Sequence, residues 1–405
     1  MSFRSLDDAD VKGKRVLVRV DLNVPMQDGK VTDVTRIEEV APTIQELAAK
    51  GGKVILLSHL GRPKGPDPKS SLRPVVPEVA KILKKPVAFA EDCVGPKAQS
   101  AIATMKNGDV LCLENTRFHP GEEKNDPAFA KELAALGDVI VEDAFSAAHR
   151  AHASIAGIVE VSNLPAYPGR AMKAELDALE RAFEKPEHPV AAIVGGAKIS
   201  TKLDLLGNLL AKVETLIIGG GMANTFLAAQ GKPIGKSLCE RDLIGNARDI
   251  LAKAKMLKRE IVLPVDAVVA QKFEAHAPSR VVSVDEVGDT DMILDFGPRS
   301  VEYVVSVLAR TKTLVWNGPF GAFELEPFDN GTTAVAEAVA ELTEDGRLVS
   351  FAGGGDTVAA LNIAGVMGRL THVSTAGGAF LESLEGKMLP GVAVLMVGTP
   401  ETAHG

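Results

Sequence analysis

Short runs rich in Val, Ile and Leu, each followed at once by polar or glycine residues, recur through both halves of this 405-residue chain. In the first half they are Val16 to Val20, Val54 to Leu57, Val110 to Leu113 and Val139 to Val141; Val190 to Val194 resumes the pattern in the second. Runs of this length, separated by helical patterns and lacking polar alternation, imply parallel strands covered on both faces. That restricts the chain to an α/β fold. In open sheets of this kind ligands bind beyond the carboxyl ends of the strands, so the residues just past each run are the ones to read for function.

Between the two sets, Met172, Leu176, Leu179 and Phe183 lie four, three and four residues apart, the spacing of one apolar stripe on an amphipathic helix from Arg170 to Lys185. Pro165, Pro168 and Gly169 precede it and Pro186 and Pro189 follow it, which limits its length. A single core rarely grows past roughly 250 to 300 residues. The expected architecture is therefore two doubly wound, Rossmann-like parallel-sheet lobes joined by a central helix, with a first domain over 1–169, the connecting helix over 170–186 and a second domain over 187–390. A tail, 391–405, is expected to return toward the first lobe. The competing reading makes the helix an ordinary crossover within one large domain.

Hydrophobic residues make up 46% and charged residues 24%, which argues against a largely disordered chain. A net charge of -8 gives no support to nucleic-acid or membrane-surface binding, so any anion site has to be concentrated locally. Cys93, Cys112 and Cys239 are odd in number, far apart and without metal-ligand spacing, and read as reduced thiols; Cys112, inside an apolar run, reads as buried and inert. The start MSFRSLDDADVKGKR has no apolar leader core, and no apolar run approaches the roughly 18 residues of a membrane span. The expected address is the cytoplasm.

The strand ends carry the chemistry. The first run leads into Asp21 and Asn23, the second into His59 and Arg62, the third into Asn115 and Arg117, and the fourth into His149, Arg150 and His152, with Arg36 opening the next helical pattern after Gly29. Singly, a surface arginine is usually a solvated charge and a histidine near a strand end a structural hydrogen-bonding group. Recurrence at the same end of successive strands points instead to one crevice. Arginines from three strands suit a multiply charged anion, since the guanidinium fork pairs two phosphate or carboxylate oxygens at once.

In the second half the strand ends are rich in glycine. Gly195 and Gly196 precede Lys198 and Lys202, which are expected on one face of a following helix. Asn317, Gly318 and Glu324 follow another run, and Gly353, Gly354, Gly355, Asp356 and Thr357 a further one, before Gly377 and Gly378. Such turns let backbone amides approach phosphate, and the Asp356 carboxylate suits a phosphate-bound magnesium, although it also suits a plain helix cap near Thr357. Two other strings fall short. LIIGGGMANTF has Asn224 where a dinucleotide fingerprint needs its third glycine, and GKPIGKS has three residues rather than four between Gly231 and Gly235, so it reads as a surface turn.

Taken together, RVDLNVP, SHLGRP, ENTRF, HRAH, GGAKISTK, WNGPFGAFE, GGGDT and STAGGAFLE, in this order from about Val16 to Val392, closely resemble the phosphoglycerate kinase family. The resemblance implies transfer of a phosphoryl group between 1,3-bisphosphoglycerate and ADP, giving 3-phosphoglycerate and ATP with Mg2+, the first lobe binding the triose and the second the nucleotide. It further implies a monomer with these small-molecule partners. Carried over by position, the triose pocket would use Asp21, Asn23, Arg36, His59, Arg62, Arg117 and Arg150, with Arg19 and His152 adding to the basic patch. Nucleotide contacts would be Lys202, Gly297, Glu324 and Gly354, Gly355, Asp356 and Thr357, with Asp356 turned toward Mg2+. Arg36 and Lys198 would meet the phosphoryl group in flight, helped by amides around Gly377 and Gly378. Ala376 stands where the family usually has a third glycine, and the ending VGTPETAHG departs from the family's.

Phosphoryl transfer depends chiefly on alignment and charge neutralisation, and a carboxylate or phosphate nucleophile is already ionised at neutral pH, so a site of Arg, Lys and glycine amides needs no general base. The alternatives are a non-catalytic two-lobed anion-binding protein and a nicotinamide dehydrogenase, the latter weakened by the incomplete fingerprint.

Overall fold

The computed structural model describes residues 2–397. It divides into two compact units, one running to Asp177 and resuming at Met388, the other Ala178–Lys387.

In the first unit β1 (Arg15–Arg19), the hairpin β2 (Met26–Gln27) and β3 (Lys30–Val31), then β4 (Lys53–Leu57), β5 (Val87–Ala90), β6 (Val110–Leu113), β7 (Val139–Glu142) and β8 (Ala166–Pro168) follow in order. The hairpin stands apart; the other six form a parallel sheet in the order β5-β6-β4-β1-β7-β8. Val16, Leu17 and Val18 of β1 and Val54, Ile55 and Leu56 of β4 are fully buried, which is why these runs show no alternation. Each such side chain contributes roughly 1.5–3 kcal/mol by leaving water. The chain steps from β1 to β4 on one side and reaches β7 on the other, so the order reverses at β1. That is the switch point at which the loops after β1, β4 and β7 face one crevice.

The second unit repeats the plan. Strands β9 (Val190–Val194), β10 (Thr215–Ile218), β11 (Glu260–Val262), β15 (Thr313–Asn317), β16 (Val349–Gly353) and β17 (His372–Ser374) form a parallel sheet in the order β11-β10-β9-β15-β16-β17. Here the order reverses between β9 and β15, which pair directly, Asn317 against Val194. Three further strands, β12 (Asp266–Ala270), β13 (Ser279–Ser283) and β14 (Met292–Phe296), make a separate antiparallel sheet. The fold is α/β with two doubly wound parallel sheets.

The middle helix is shorter than its apolar spacing implies. Its α-helical part is Arg170–Leu179, after which Glu180–Glu184 form a wider π turn closed by the Lys185 N–H on the Glu180 carbonyl at 2.9 Å. The extra residue in that turn rotates the stripe, so Met172, Leu176, Ala178 and Ala182 are buried while Leu179 and Phe183 are only partly so. Its start is well anchored: Asp143 Oδ1 accepts the Met172 N–H at 2.9 Å and Thr43 Oγ1 the Arg170 N–H at 2.8 Å. After Met388 the described chain packs within the first unit, with the Gly391 N–H on the Ala148 carbonyl at 2.9 Å and Phe3 paired antiparallel with Met396. Residues 398–405 of the expected tail lie outside the described residues.

Candidate active site

In the first unit the groups past β1, β4, β6 and β7 form one connected array. Asp21, largely buried, accepts the Asn23 N–H at 2.9 Å and faces Arg36 across 3.2 Å. Arg36, near the start of the helix Thr35–Ala49, also donates to the Asn23 carbonyl at 2.7 Å, and the Asn23 side-chain oxygen takes the Gly61 N–H at 2.8 Å. The Gly61 carbonyl then accepts Arg117 at 2.6 Å. Arg62 is exposed beside this bridge. Four residues distant in sequence are thus locked by backbone contacts, leaving the guanidinium groups of Arg36 and Arg117 oriented rather than floppy.

Behind them stands a chain of buried polar groups that sequence reasoning missed. Arg19 is 2% exposed, and it donates to Ser154 Oγ at 2.8 Å and to the Val20 carbonyl at 2.6 Å, with His59 Nδ1 at 3.0 Å. A guanidinium has only donors, so Nδ1 is the acceptor and the imidazole carries its proton on Nε2. The Ser154 hydroxyl in turn donates a hydrogen bond to Glu122 Oε1 at 2.9 Å. No motif encodes this relay, because Ser154 and Glu122 are unremarkable in sequence and meet Arg19 only through the fold.

Burial first, then the charges of Arg19, Arg117, Arg150 and His152, hold His59 well below the usual imidazole value. Burial, then the charges of Arg117, Arg19, Arg150 and His149, bring His152 down to about 4. Burial, followed by Arg150, also pulls Arg117 down. Such mutual destabilisation of positive charge is relieved by a bound polyanion. For the two histidines the unfolded chain binds protons first, so their contribution is intact above the ordinary value of 6.5 and is lost as pH falls below it, for His152 through about 4. Comparing the pH dependence of chemical denaturation for wild type and His59→Gln/His152→Gln should show that acid-side slope diminished in the variant; equal slopes would mean that these rings titrate normally.

In the second unit a cavity of about 420 Å3 opens at the switch point between β9 and β15, lined by Gly195, Lys198, Lys202, Asn317, Gly354, Gly355, Asp356, Thr357, Gly377 and Gly378 among others. The helices Gly355–Ile363 and Gly378–Leu384 both begin here, each preceded by a glycine with positive φ, Gly354 at 100° and Gly377 at 57°. Their first amides are the donors a phosphate would take. Ala376, at the departure from the family pattern, precedes the residue that needs left-handed freedom, so its Cβ imposes no strain. Thr357 Oγ1 accepts the Gly318 N–H at 2.7 Å, Lys202 donates to the Asn317 side-chain oxygen, and Asn317 donates to the Gly353 carbonyl at 2.8 Å. Burial pulls Lys202 below the usual ammonium value.

Two expectations change. Lys198 and Lys202 lie in the turn before the helix Leu203–Lys212, with Lys202 at its N-cap, rather than on one helical face; the positive φ of Gly196, 125°, takes the chain out of helical geometry there. Asp356 is the second residue of its helix, exposed in the cavity, and the cap position belongs to Gly354, so the capping reading fails. Gly297 stands outside the lining of this cavity. It is buried at the start of the helix Pro298–Leu308, where an added Cβ would sit 2.3 Å from Asp266 Cγ, and that close approach accounts for the glycine.

An adjoining cavity of about 480 Å3 shares Gly196, Ala197 and Asp356 and is lined by apolar side chains including Leu238, Pro264, Phe273, Met292 and Phe320, with Glu324 among them. It suits a flat apolar group beside the phosphate-binding loops. Lys236, from the string read as a surface turn, also lines it, brought there by its N–H on the Asp291 carbonyl at 2.7 Å.

Residues 6–387 match the family described as phosphoglycerate kinase. Relatives named phosphoglycerate kinase from Rhodopseudomonas palustris and Bradyrhizobium diazoefficiens are each 63% identical, covering 98% of this chain and 99% of their own. Among solved structures, phosphoglycerate kinase from Coxiella burnetii superposes with a TM-score of 0.91 at 43% identity, covering 97% of this chain and 99% of that one. The enzyme from Pyrococcus horikoshii gives 0.80 at 32%, covering 96% and 98%. Nothing in these likenesses supports the non-catalytic alternative. With parallel sheets reversing order at a cationic array in one unit and at a glycine-amide cavity in the other, and with matches of this extent, the chain belongs to the phosphoglycerate kinase family and is a phosphotransferase.

Proposed function

We propose that the chain catalyses reversible, magnesium-dependent phosphoryl transfer between 1,3-bisphosphoglycerate and ADP, giving 3-phosphoglycerate and ATP, as a cytoplasmic monomer. The observation that carries this reading is the cavity at the second switch point, where two helix N-termini and two lysines converge on a space for phosphates, beside an apolar cavity for a base. Asp21, Asn23, Arg36, His59, Arg62, Arg117 and Arg150 hold the triose phosphate and carboxylate. Neutral His59, with its proton on Nε2, donates a hydrogen bond without adding to the charge. Gly354 to Thr357 and Lys202 cradle the nucleotide phosphates, while Glu324 takes ribose hydroxyls.

A magnesium ion fits the donors present. It favours one or two carboxylates with phosphate oxygens and waters over an all-protein cage, and Asp356 offers one exposed carboxylate among glycines that leave room for phosphate. Bound there, it neutralises phosphate charge. Lys198, Arg36 and the amides at Gly377 and Gly378 stabilise the charge on the transferring group; the attacking oxygen is already ionised, so no residue need remove a proton. Incubation with Mg-ATP and 3-phosphoglycerate should release ADP only when both are present. ADP release independent of the triose, or none at all, would overturn the assignment.

Asp356→Asn is expected to weaken Mg-ATP binding by about tenfold or more, on the scale of losing one charged ligand partner, with 3-phosphoglycerate binding unchanged. Calorimetric titration of both ligands decides it, and equal Mg-ATP affinity would remove Asp356 from the metal.

Direct transfer requires the reacting atoms to come within roughly 3 to 3.5 Å with water excluded, so catalysis calls for movement that brings the two substrates together. Residues 168–171 and 184–189, at the ends of the middle helical segment, are the proposed hinges. Each ligand alone has little differential affinity for a closed form, whereas the pair has. Small-angle scattering should give a smaller radius of gyration with triose and nucleotide together than with either alone; full compaction by one ligand would refute the scheme.

A further inference from the structure

Asp92, Cys93 and His119 form a cluster that the transfer reaction does not use. Asp92 and Cys93 follow the edge strand β5, while His119 follows β6 after the turn Thr116–Phe118. Because β5 and β6 pair in parallel, with Ala90 against Leu113, both segments emerge at the same edge of the sheet. One carboxylate oxygen, the sulfur and one ring nitrogen lie within 4.8 Å of one another. The imidazole is held flat against Phe129, centroids 5.0 Å apart and planes 19° from parallel, with Nε2 2.7 Å from Asp92 Oδ1. The same Asp92 oxygen accepts the Cys93 N–H at 2.7 Å. Cys93 is fully buried beneath, whereas the side chains of Asp92 and His119 are 38% and 31% exposed and have room to turn.

Burial and then the charges of Asp92, Glu122 and Glu114 push the Cys93 thiol well above its ordinary value. The nearby carboxylates of Asp92, Glu122 and Glu114 favour a divalent cation beside the sulfur. Thiolate, imidazole and carboxylate together are a zinc donor set, whereas magnesium prefers oxygen alone. Zinc bonds of about 2.0 to 2.3 Å set neighbouring ligand atoms about 3.3 to 3.8 Å apart, so the 2.7 Å His119–Asp92 pair has to open by about 0.6 Å and any separation near 4.8 Å has to close by about 1 Å.

We propose that Asp92, Cys93 and His119 are a binding site for zinc-class divalent ions, with three protein ligands and the fourth position left to water. Binding exchanges the thiol proton for the metal: the S–H bond breaks, its electron pair becomes the S–Zn bond, and the proton leaves to solvent without any redox change. His119 gives up its hydrogen bond to Asp92 and both turn toward the ion.

The full-length protein, without nucleotide or triose, should bind one equivalent of ZnCl2, more tightly as pH rises. With CoCl2 in place of zinc it should show the intense near-ultraviolet absorption of a thiolate bound to cobalt. Cys93→Ser should abolish that absorption, and His119→Gln, made on a partly exposed side chain that folding can spare, should weaken zinc binding by about tenfold or more. Cys239→Ser, which removes the half-buried thiol elsewhere, should change neither. Cobalt bound without thiolate absorption, zinc affinity unaltered in His119→Gln, or a signal lost in Cys239→Ser would each overturn the site. Should Cys93→Ser fail to fold, the wild-type cobalt spectrum and His119→Gln still decide.

Discussion

Lys198→Ala is expected to lower turnover about a hundredfold or more, the scale for losing one preorganised donor that stabilises transition-state charge, while nucleotide binding weakens far less. The side chain is exposed in the cavity beside the two helix N-termini, and the Lys198 carbonyl accepts the Thr201 hydroxyl at 2.9 Å, a backbone contact that alanine keeps. The variant should therefore fold as wild type does, so a rate loss reports chemistry. Arg36→Ala should cost a similar factor in turnover but raise the KM for 3-phosphoglycerate as well, because Arg36 also braces Asp21 and the Asn23 carbonyl. Steady-state kinetics with both substrates varied separates the two cases. Turnover within a few-fold of wild type would remove either residue from the catalytic role.

Gly195→Ala should damage fold and site together. Gly195 directly follows β9 and donates its N–H to the Asn317 carbonyl at 2.8 Å, and an added Cβ would lie 2.0 Å from the Pro319 carbonyl oxygen and 2.7 Å from the Gly318 backbone. The obstacle is backbone on backbone, with no flexible side chain to swing aside. Overpacking of this kind typically costs roughly 1–3 kcal/mol, here paid at the strand pair that frames the cavity. Trp316, 1% exposed with its indole N–H on the Gly318 carbonyl at 2.8 Å, anchors the opposing loop and keeps it from yielding. A lowered midpoint in denaturant together with weaker Mg-ATP binding is the expected pair of results. Wild-type values for both would mean that the crossing is softer than it looks.

Much of this site is written locally. Val16 to Val18 or Val190 to Val194 can be buried on both faces only in a covered parallel sheet, and a polar or glycine residue directly after such a strand lies at its carboxyl edge wherever the strand falls in the order. Eight strings in sequence order sufficed for the family. These are properties of neighbouring residues and survive without coordinates.

Other features depend on which elements become neighbours. The edge strands β5 and β8 and the reversal at β1 follow from the sheet order, which no local period records. Arg19 reads as one more cation of a patch, yet it lies behind His59, sets the ring's tautomer by its own hydrogen bond to Nδ1, and is held by Ser154 and through it Glu122, both more than a hundred residues away. Gly297 makes room for Asp266, a neighbour that no local pattern names, and Asp92, Cys93 and His119 have no spacing that marks a metal site. The sequence by itself determined the kinds of strand, their polar ends and the family, because strand burial and glycine freedom act over a few residues. The tertiary structure alone decided which of those ends meet and what stands behind them, because hydrogen bonds and charge interactions fall off within a few ångströms and so depend on distances that only chain packing sets.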